Sequence, residues 1–410
     1  MNKISIDGAS PGISLPLAGV KVVDLATFIA GPFCASLLAE YGAEVLKVEE
    51  PLKGDPLRSF GKLSECGDSL TWLSEARNRK SVTLNLRSEE GARLFRKLAA
   101  TADVVIENFR PGTMEKWGLG YEELSRDNPG LVMLRVSGYG QTGPLSSHPG
   151  FARIAHAFGG LAYLAREPGG TPVLPGSTSL ADYSSGLFGA LGVMMALRER
   201  DASGRGQVVD VALFESIFRM MDEMVPAFDR YGIVREPLGA DTVNIVPHSH
   251  YQCSDGKWVA IACSNDKMFE RLCAVMGRPE LSGDPRYLTI PDRDARRDEV
   301  NAMVAQWTGS APSARILERC RQGEVPCSLL YNVADIFQEP QYHARQAILP
   351  VLDSRVGSLK VPGVVAKLSR TPGCVESLGP ALGAHNEEIY QGRLGLSAEQ
   401  LDALREQGVL

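Results

Sequence analysis

Several familiar signals are missing from this 410-residue chain, and each absence removes a class of function. None of the eight cysteines (Cys34, Cys66, Cys253, Cys263, Cys273, Cys320, Cys327 and Cys374) pairs as CxxC, so free thiols in a reduced, cytoplasmic protein are expected. No HExxH is present. The first residues, "MNKISIDGASPGISLPLAGVKVV", lack a long apolar stretch, so no secretory signal is expected. No run of about 18 apolar residues occurs, so no membrane-spanning helix is expected. Positive charge is not in excess. A net charge of -6 gives no electrostatic reason to expect nucleic acid or an anionic membrane as partner, although a local cluster of Arg and Lys can still bind an anionic ligand.

What is present reads as a globular protein, 44% hydrophobic and 22% charged. The length suggests two domains, or one large domain with an insertion. Residues 1–17, rich in Gly, Ser and Pro, read as a flexible lead-in. "GVKVVDLA", "GPFCASLLAEYG" and "AEVLKVEEP" then read as strand, helix and strand, the unit of a parallel sheet with a right-handed crossover. The alternation continues through "KSVTLNL", a helix capped by Ser88, "DVVIENF", a short helix at "YEELSRDNPG", and "LVMLRVSGYG". After residue 182 come an apolar helix, "RERDASGRGQ" as a loop, "VVDVAL" as a strand and "FESIFRMMDEMVPAF" as a helix. Near residue 225 the texture changes to a linker, a hairpin turning at Asp255-Gly256, and three helical segments. These readings divide the chain into 1–224, a smaller domain over 225–330, and 331–410 returning to the first.

The candidate sites each carry two readings. The opening strand–turn–helix has one Gly followed by Pro where a dinucleotide fold has GxGxxG, which argues against NAD. Arg58, Arg77, Arg79, Lys80, Arg87, Arg110 and Lys116 are a solvated surface or, as a group, a phosphate site. His248 and His250, in "PHSHY", have metal-like spacing with no acid beside them, so a polar turn facing a cleft is preferred to a metal site. Asp182, in "SLADYSSGLFGALGVMMAL", is a lone acid before an apolar helix. It reads as an N-cap bonded to the N–H groups of Ser184 or Ser185, or as a nucleophile that the helix dipole keeps ionised.

The segments "GVKVVDLATFIAGPFCASLLAEYGAEVLKVEEP", "RNRKSVTLNL", "DVVIENFRPGTMEKWGLGYEEL", "SGYGQTGP", "ADYSSGLFGALGVMMALRER", "GRGQVVDVALFES" and "LGPALGAHNEEI" together resemble the family III CoA-transferases, the group of formyl-CoA transferase and the carnitine CoA-transferases. The resemblance spans nearly the whole chain. It implies an α/β fold: a Rossmann-like large domain formed by both chain ends, a smaller central α+β domain, and an interlocked homodimer. It implies coenzyme A as co-substrate, no metal, and acyl-CoA and small carboxylic acids as partners. It makes Asp182 the catalytic carboxylate, passing through an aspartyl anhydride and an aspartyl-CoA thioester. It places CoA against Phe28, Ala30, Leu84, Asn108, Phe109 and Lys116, with Arg79 and Arg87 as weaker candidates. His248 and His250 fall where relatives carry a mobile active-site loop.

One departure bears on the chemistry. The racemase branch, that of alpha-methylacyl-CoA racemase, uses His and Asp for proton transfer at the α-carbon, and Phe151 stands at the His position here, which argues against racemisation; Ala152 leaves vacant an acid that some transferases of the family use in catalysis. Arg153 follows at once. It is either a surface residue or the group that binds the far carboxylate of a dicarboxylic acyl chain. Small dicarboxylates such as succinate, malate, citramalate, itaconate or glutarate are therefore the favoured substrates. The rivals are an acyl-CoA racemase or intramolecular CoA isomerase of the same fold, and a non-catalytic acyl-CoA-binding protein.

Overall fold

Runs of Val, Ile and Leu with almost no polar interruption build the centre of the protein. The computed structural model describes residues 14–410, so most of the expected lead-in lies outside the described residues. The chain forms two compact units. The first takes the residues up to Leu161, Leu174–Glu223 and Gln341–Leu410; the second takes Ala162–Val173 and Met224–Pro340.

Six strands of the first unit, β1 (Lys21–Asp24), β2 (Glu44–Glu49), β3 (Arg79–Thr83), β4 (Val104–Glu107), β5 (Val132–Ser137) and β6 (Val208–Ala212), make one sheet in the order β3-β2-β1-β4-β5-β6. Every pairing in it is parallel. This is the doubly wound order, with its topological switch between β1 and β4. Successive residues face opposite sides, and both sides are covered. Val23, Leu46, Val82 and Val105 meet helices Glu89–Ala99 and Ala398–Glu406 through Phe95, Leu98, Leu401 and Leu404. The other side meets α1 (Ala30–Glu40) and the long helix Leu180–Ser203. A separate antiparallel ribbon, β10 (Ile348–Asp353) with β11 (Gly357–Pro362), buries Val351 and Val361 against Trp72 and Leu73. In the second unit, β7 (His248–Gln252), β8 (Trp258–Ala262) and β9 (Cys327–Leu329) form an antiparallel sheet. Its core joins Val259 and Ile261 to Phe269, Leu272 and Ile316 of the surrounding helices.

Two expectations are corrected. The stretch 198–203 is helix, not loop: Arg-Glu-Arg are good helix formers on a solvated face, and the stop is Gly204 in the left-handed region (φ 74). The single helix expected after β6 is two, Leu213–Arg219 and Met224–Tyr231, with Asp222 at φ 42 between them. The helix Leu180–Ser203 is also long and apolar enough, by length and composition, to cross a membrane. In this unit it lies on the sheet instead. A Cβ at Gly186 would stand 2.8 Å from the Ala30 carbonyl oxygen, and one at Gly189 2.9 Å from Leu134, so these glycines permit close packing on α1 and β5.

Candidate active site

In a doubly wound sheet ligands bind beyond the carboxyl ends of the strands, beside the switch point. Two cavities open there. One, of about 470 Å³, is lined by the segments that follow β1, β4 and β5 and by the start of the long helix. The other, of about 320 Å³, lies over the ends of β2 and β3. Phe109 lines both.

The turn after β1 is held in an unusual shape. Phe28 is in the left-handed region (φ 61), a strained conformation for a bulky residue. Its N–H donates to Asp55 Oδ1 at 3.0 Å. Thr27 is clamped by Asn108, which accepts from its N–H at 2.8 Å and donates to its carbonyl at 2.7 Å. Asp55 is itself fixed by a buried ion pair with Lys47, 2.9 Å away, and caps a short 3-10 turn by accepting from Leu57 N–H. Burial works against the Lys47 ammonium, but Asp24 and Asp55 outweigh it and hold the amine above its ordinary range. The Phe28 ring makes edge contacts with Phe60 and Phe151, 6.2 and 6.4 Å between centroids.

Asp182 is the one carboxylate among the described residues lining the larger cavity, and Arg110 and Arg153 are its two guanidinium groups. Asp182 is not the N-cap. The cap is Ser179, which places Asp182 third in the helix, and the N–H groups of Ser184 and Ser185 lie inside the helical ladder. Nor does the helix end keep the carboxyl in its ordinary range: burial raises its pKa to about 6. At neutral pH it is still mostly ionised, but poorly solvated.

Of the other expected residues, Phe28, Ala30, Asn108, Phe109, Phe151 and Arg153 line this same cavity. Leu84 and Arg87 line the smaller one, where Arg87 pairs with Glu50 at 3.1 Å. Lys116 is exposed at the end of a short helix, next to Trp117, which stacks edge-on with Phe109 at 5.2 Å. Arg79 departs from its expected place. It is fully buried, pairs with Asp24 at 2.8 Å, donates to the carbonyl of Pro32 and the hydroxyl of Ser36, and lines neither cavity. His248 and His250 belong to the second unit, on β7; the first shares a 2.8 Å hydrogen bond with Thr242, and the second is exposed. No group of three or more His, Cys, Asp or Glu able to hold a metal occurs among the described residues.

Several residues escaped sequence reading. Asp55 had a visible signal, an Asp-Pro pair of the kind that opens helical turns. His156 had none, because the group it binds is 25 residues away. The spacing GxGxxG does occur at Gly138, Gly140 and Gly143, after β5. No helix follows directly, and Gly138 instead lets the chain approach Gly150, whose Cα a Cβ would meet at 2.7 Å.

Residues 17–386 match the model of CoA-transferase family III. The chain is 54% identical over 399 residues to the succinyl-CoA–L-malate CoA-transferase beta subunit of Chloroflexus aurantiacus, covering 97% of this chain and 98% of that one. It is 42% identical to the succinyl-CoA–D-citramalate CoA-transferase of the same organism, covering 96% and 98%. Among solved structures, a CAIB/BAIF family protein from Brucella suis superposes with a TM-score of 0.82 at 32% identity, covering 93% of this chain and all of the other.

Proposed function

The chain belongs to the family III CoA-transferases, and from that premise we propose that it moves CoA from succinyl-CoA to a small dicarboxylic acid such as malate or citramalate. The observation that carries this reading is the single desolvated carboxylate, Asp182, lining one cavity at the switch point together with two guanidinium groups.

An Asp182 oxygen attacks the thioester carbonyl, the C–S bond breaks, and CoA leaves as thiolate. The thiolate then attacks the aspartyl carbonyl of the mixed anhydride and releases succinate, leaving CoA as a thioester on Asp182. The acceptor's carboxylate attacks that thioester, and the same steps run in reverse. The acyl activation stays in covalent bonds throughout, so no nucleotide triphosphate is needed. Poor solvation favours the attack, because a carboxylate stripped of water is a stronger nucleophile. The first N–H group of α1, at Ala30, has no acceptor within the helix, and Ala30 lines the cavity, which supports this N–H as the donor to the developing oxyanion. The aromatic cluster of Phe28, Phe60 and Phe151 keeps water from the two hydrolysable intermediates. CoA extends from the smaller cavity, where Leu84 and Arg87 lie, past Phe109 to Asp182.

Arg153 binds the distal carboxylate of the acyl group, with Arg110 across the cavity as a second cation. The assembly is an interlocked dimer of like chains, whose two domains per chain follow the boundaries near residues 225 and 330. The long helix supports this, since it leaves Leu187, Leu191 and Met195 at least half exposed. A single-chain mass by light scattering would remove the dimer.

The test of function is a panel of carboxylic acids incubated with succinyl-CoA and read by mass spectrometry. The expected products are CoA thioesters of dicarboxylic acids and free succinate. A panel without new thioesters, or one in which only α-deuterium is washed in from solvent, contradicts the reading.

A further inference from the structure

The long helix begins Ser179-Leu180-Ala181-Asp182, the spacing of a capping box. In a closed box the serine hydroxyl accepts from the N–H three residues on, and the acid accepts from the serine's own N–H. Among the described residues three other helices close such a box: Thr289 with Asp292, Asn332 with Asp335, and Ser397 with Gln400. The box at Ser179 is open. Ser179 has ψ 59 rather than the extended value of the other three caps, and its side chain makes no capping bond. The Asp182 N–H turns to the Ser179 carbonyl instead, at 3.0 Å.

One of the donors left free at this end is satisfied from outside the helix. Ala181 N–H donates to His156 Nε2 at 3.0 Å. His156 lies in the short helix Ala152–Phe158 and is 1% exposed. Since Nε2 accepts, the ring is neutral and its proton sits on Nδ1, which is buried with no partner. A histidine whose second nitrogen is left unsatisfied in the interior is an expensive way to cap a helix, where a serine would do.

We propose that His156 is a positioning residue: by capping the long helix from a neighbouring helix, it keeps the Asp182 carboxylate out of the capping box and free to attack the thioester. This rests on the reading of Asp182 as the nucleophile. A carboxylate drawn into the box gives one oxygen to a backbone N–H, a charge-assisted bond that stabilises the ground state and weakens the nucleophile. The bond to Ala181 also ties the segment carrying Phe151 and Arg153 to the residue next to Asp182, so nucleophile and acyl-binding residues share one support.

Two substitutions separate reach from polarity. In His156→Gln the amide oxygen extends far enough to accept from Ala181 N–H; in His156→Asn it does not. With succinyl-CoA and an accepted dicarboxylic acid, the Asn variant should lose about tenfold or more in kcat with KM within about twofold, and the Gln variant should stay within about threefold of the parent. A crystal structure of the Asn variant should show an Asp182 oxygen bonded to Ser179 N–H. Equal kcat for Asn and Gln variants, or a rise in KM with kcat unchanged, overturns the proposal. A measurement on the parent is independent of how any variant folds. Nitrogen-15 NMR at neutral pH should report His156 as the neutral ring protonated on Nδ1, and an imidazolium or the Nε2–H form overturns the proposal as well. Asp182→Asn is run beside them. If that variant keeps the parent's rate, the nucleophile reading falls. If it is inactive while His156→Asn matches the parent, only the role of His156 falls.

Discussion

Replacing Asp182 by Asn should abolish transfer and at the same time make the protein more stable at neutral pH. Burial lifts the carboxyl from 3.8 to about 6, so the folded state disfavours the charged form that the unfolded chain tolerates. The sign follows from proton binding. Between about pH 4 and 6 the folded state holds a proton the unfolded state has lost, so this group's contribution to stability declines across that window and is at its lowest above it. A shift of about two units corresponds to about 3 kcal/mol as a ceiling, because the replacing amide must also be buried. Asn carries no charge at any of these pH values, so the variant should gain about 1–3 kcal/mol at pH 7 and almost nothing at pH 4. The assay is urea unfolding of parent and variant at both pH values and one protein concentration. A variant no more stable than the parent at pH 7, or one with the same gain at both, would refute a nucleophile held in a desolvated site.

Three further outcomes are expected. Below about pH 6 the kcat/KM for transfer should fall about tenfold per unit as Asp182 takes up its proton, and a flat profile down to pH 5 would contradict this. Arg153→Ala should raise KM about tenfold or more for dicarboxylic acceptors and far less for monocarboxylic ones, and an equal rise for both would remove its role as a carboxylate reader. Asp55→Ala strips the buried Lys47 of its nearer carboxylate and frees the Phe28 N–H, so it should cost about 3–5 kcal/mol in urea unfolding; a loss under about 1 kcal/mol would show that the turn does not depend on it.

The alternation of strand and helix in the first half of the chain was legible because it is local. Ser88 caps the helix Glu89–Ala99 by accepting from Gly91 N–H, as its sequence says, and the hairpin turns with Gly256 at φ 78. Two of the failures share a physical cause, a partner distant in sequence. Arg79 reads as a surface cation because Asp24, which buries it, is 55 residues away. His156 reads as nothing in particular until the long helix arrives beside it. Asp182 reads as an N-cap because an acid before an apolar run is a local pattern, whereas the helix in fact starts three residues earlier, with Ser179 as its cap. The end of the long helix failed for another reason: a charged helical face and a loop have the same composition, and only the left-handed glycine distinguishes them.

The account stands or falls on whether Asp182 becomes covalently acylated during turnover. The direct measurement is peptide mass spectrometry after incubation with succinyl-CoA and quenching with hydroxylamine. The prediction is a hydroxamate on Asp182, absent without succinyl-CoA. An active enzyme whose Asp182 peptide stays unmodified under those conditions would contradict it.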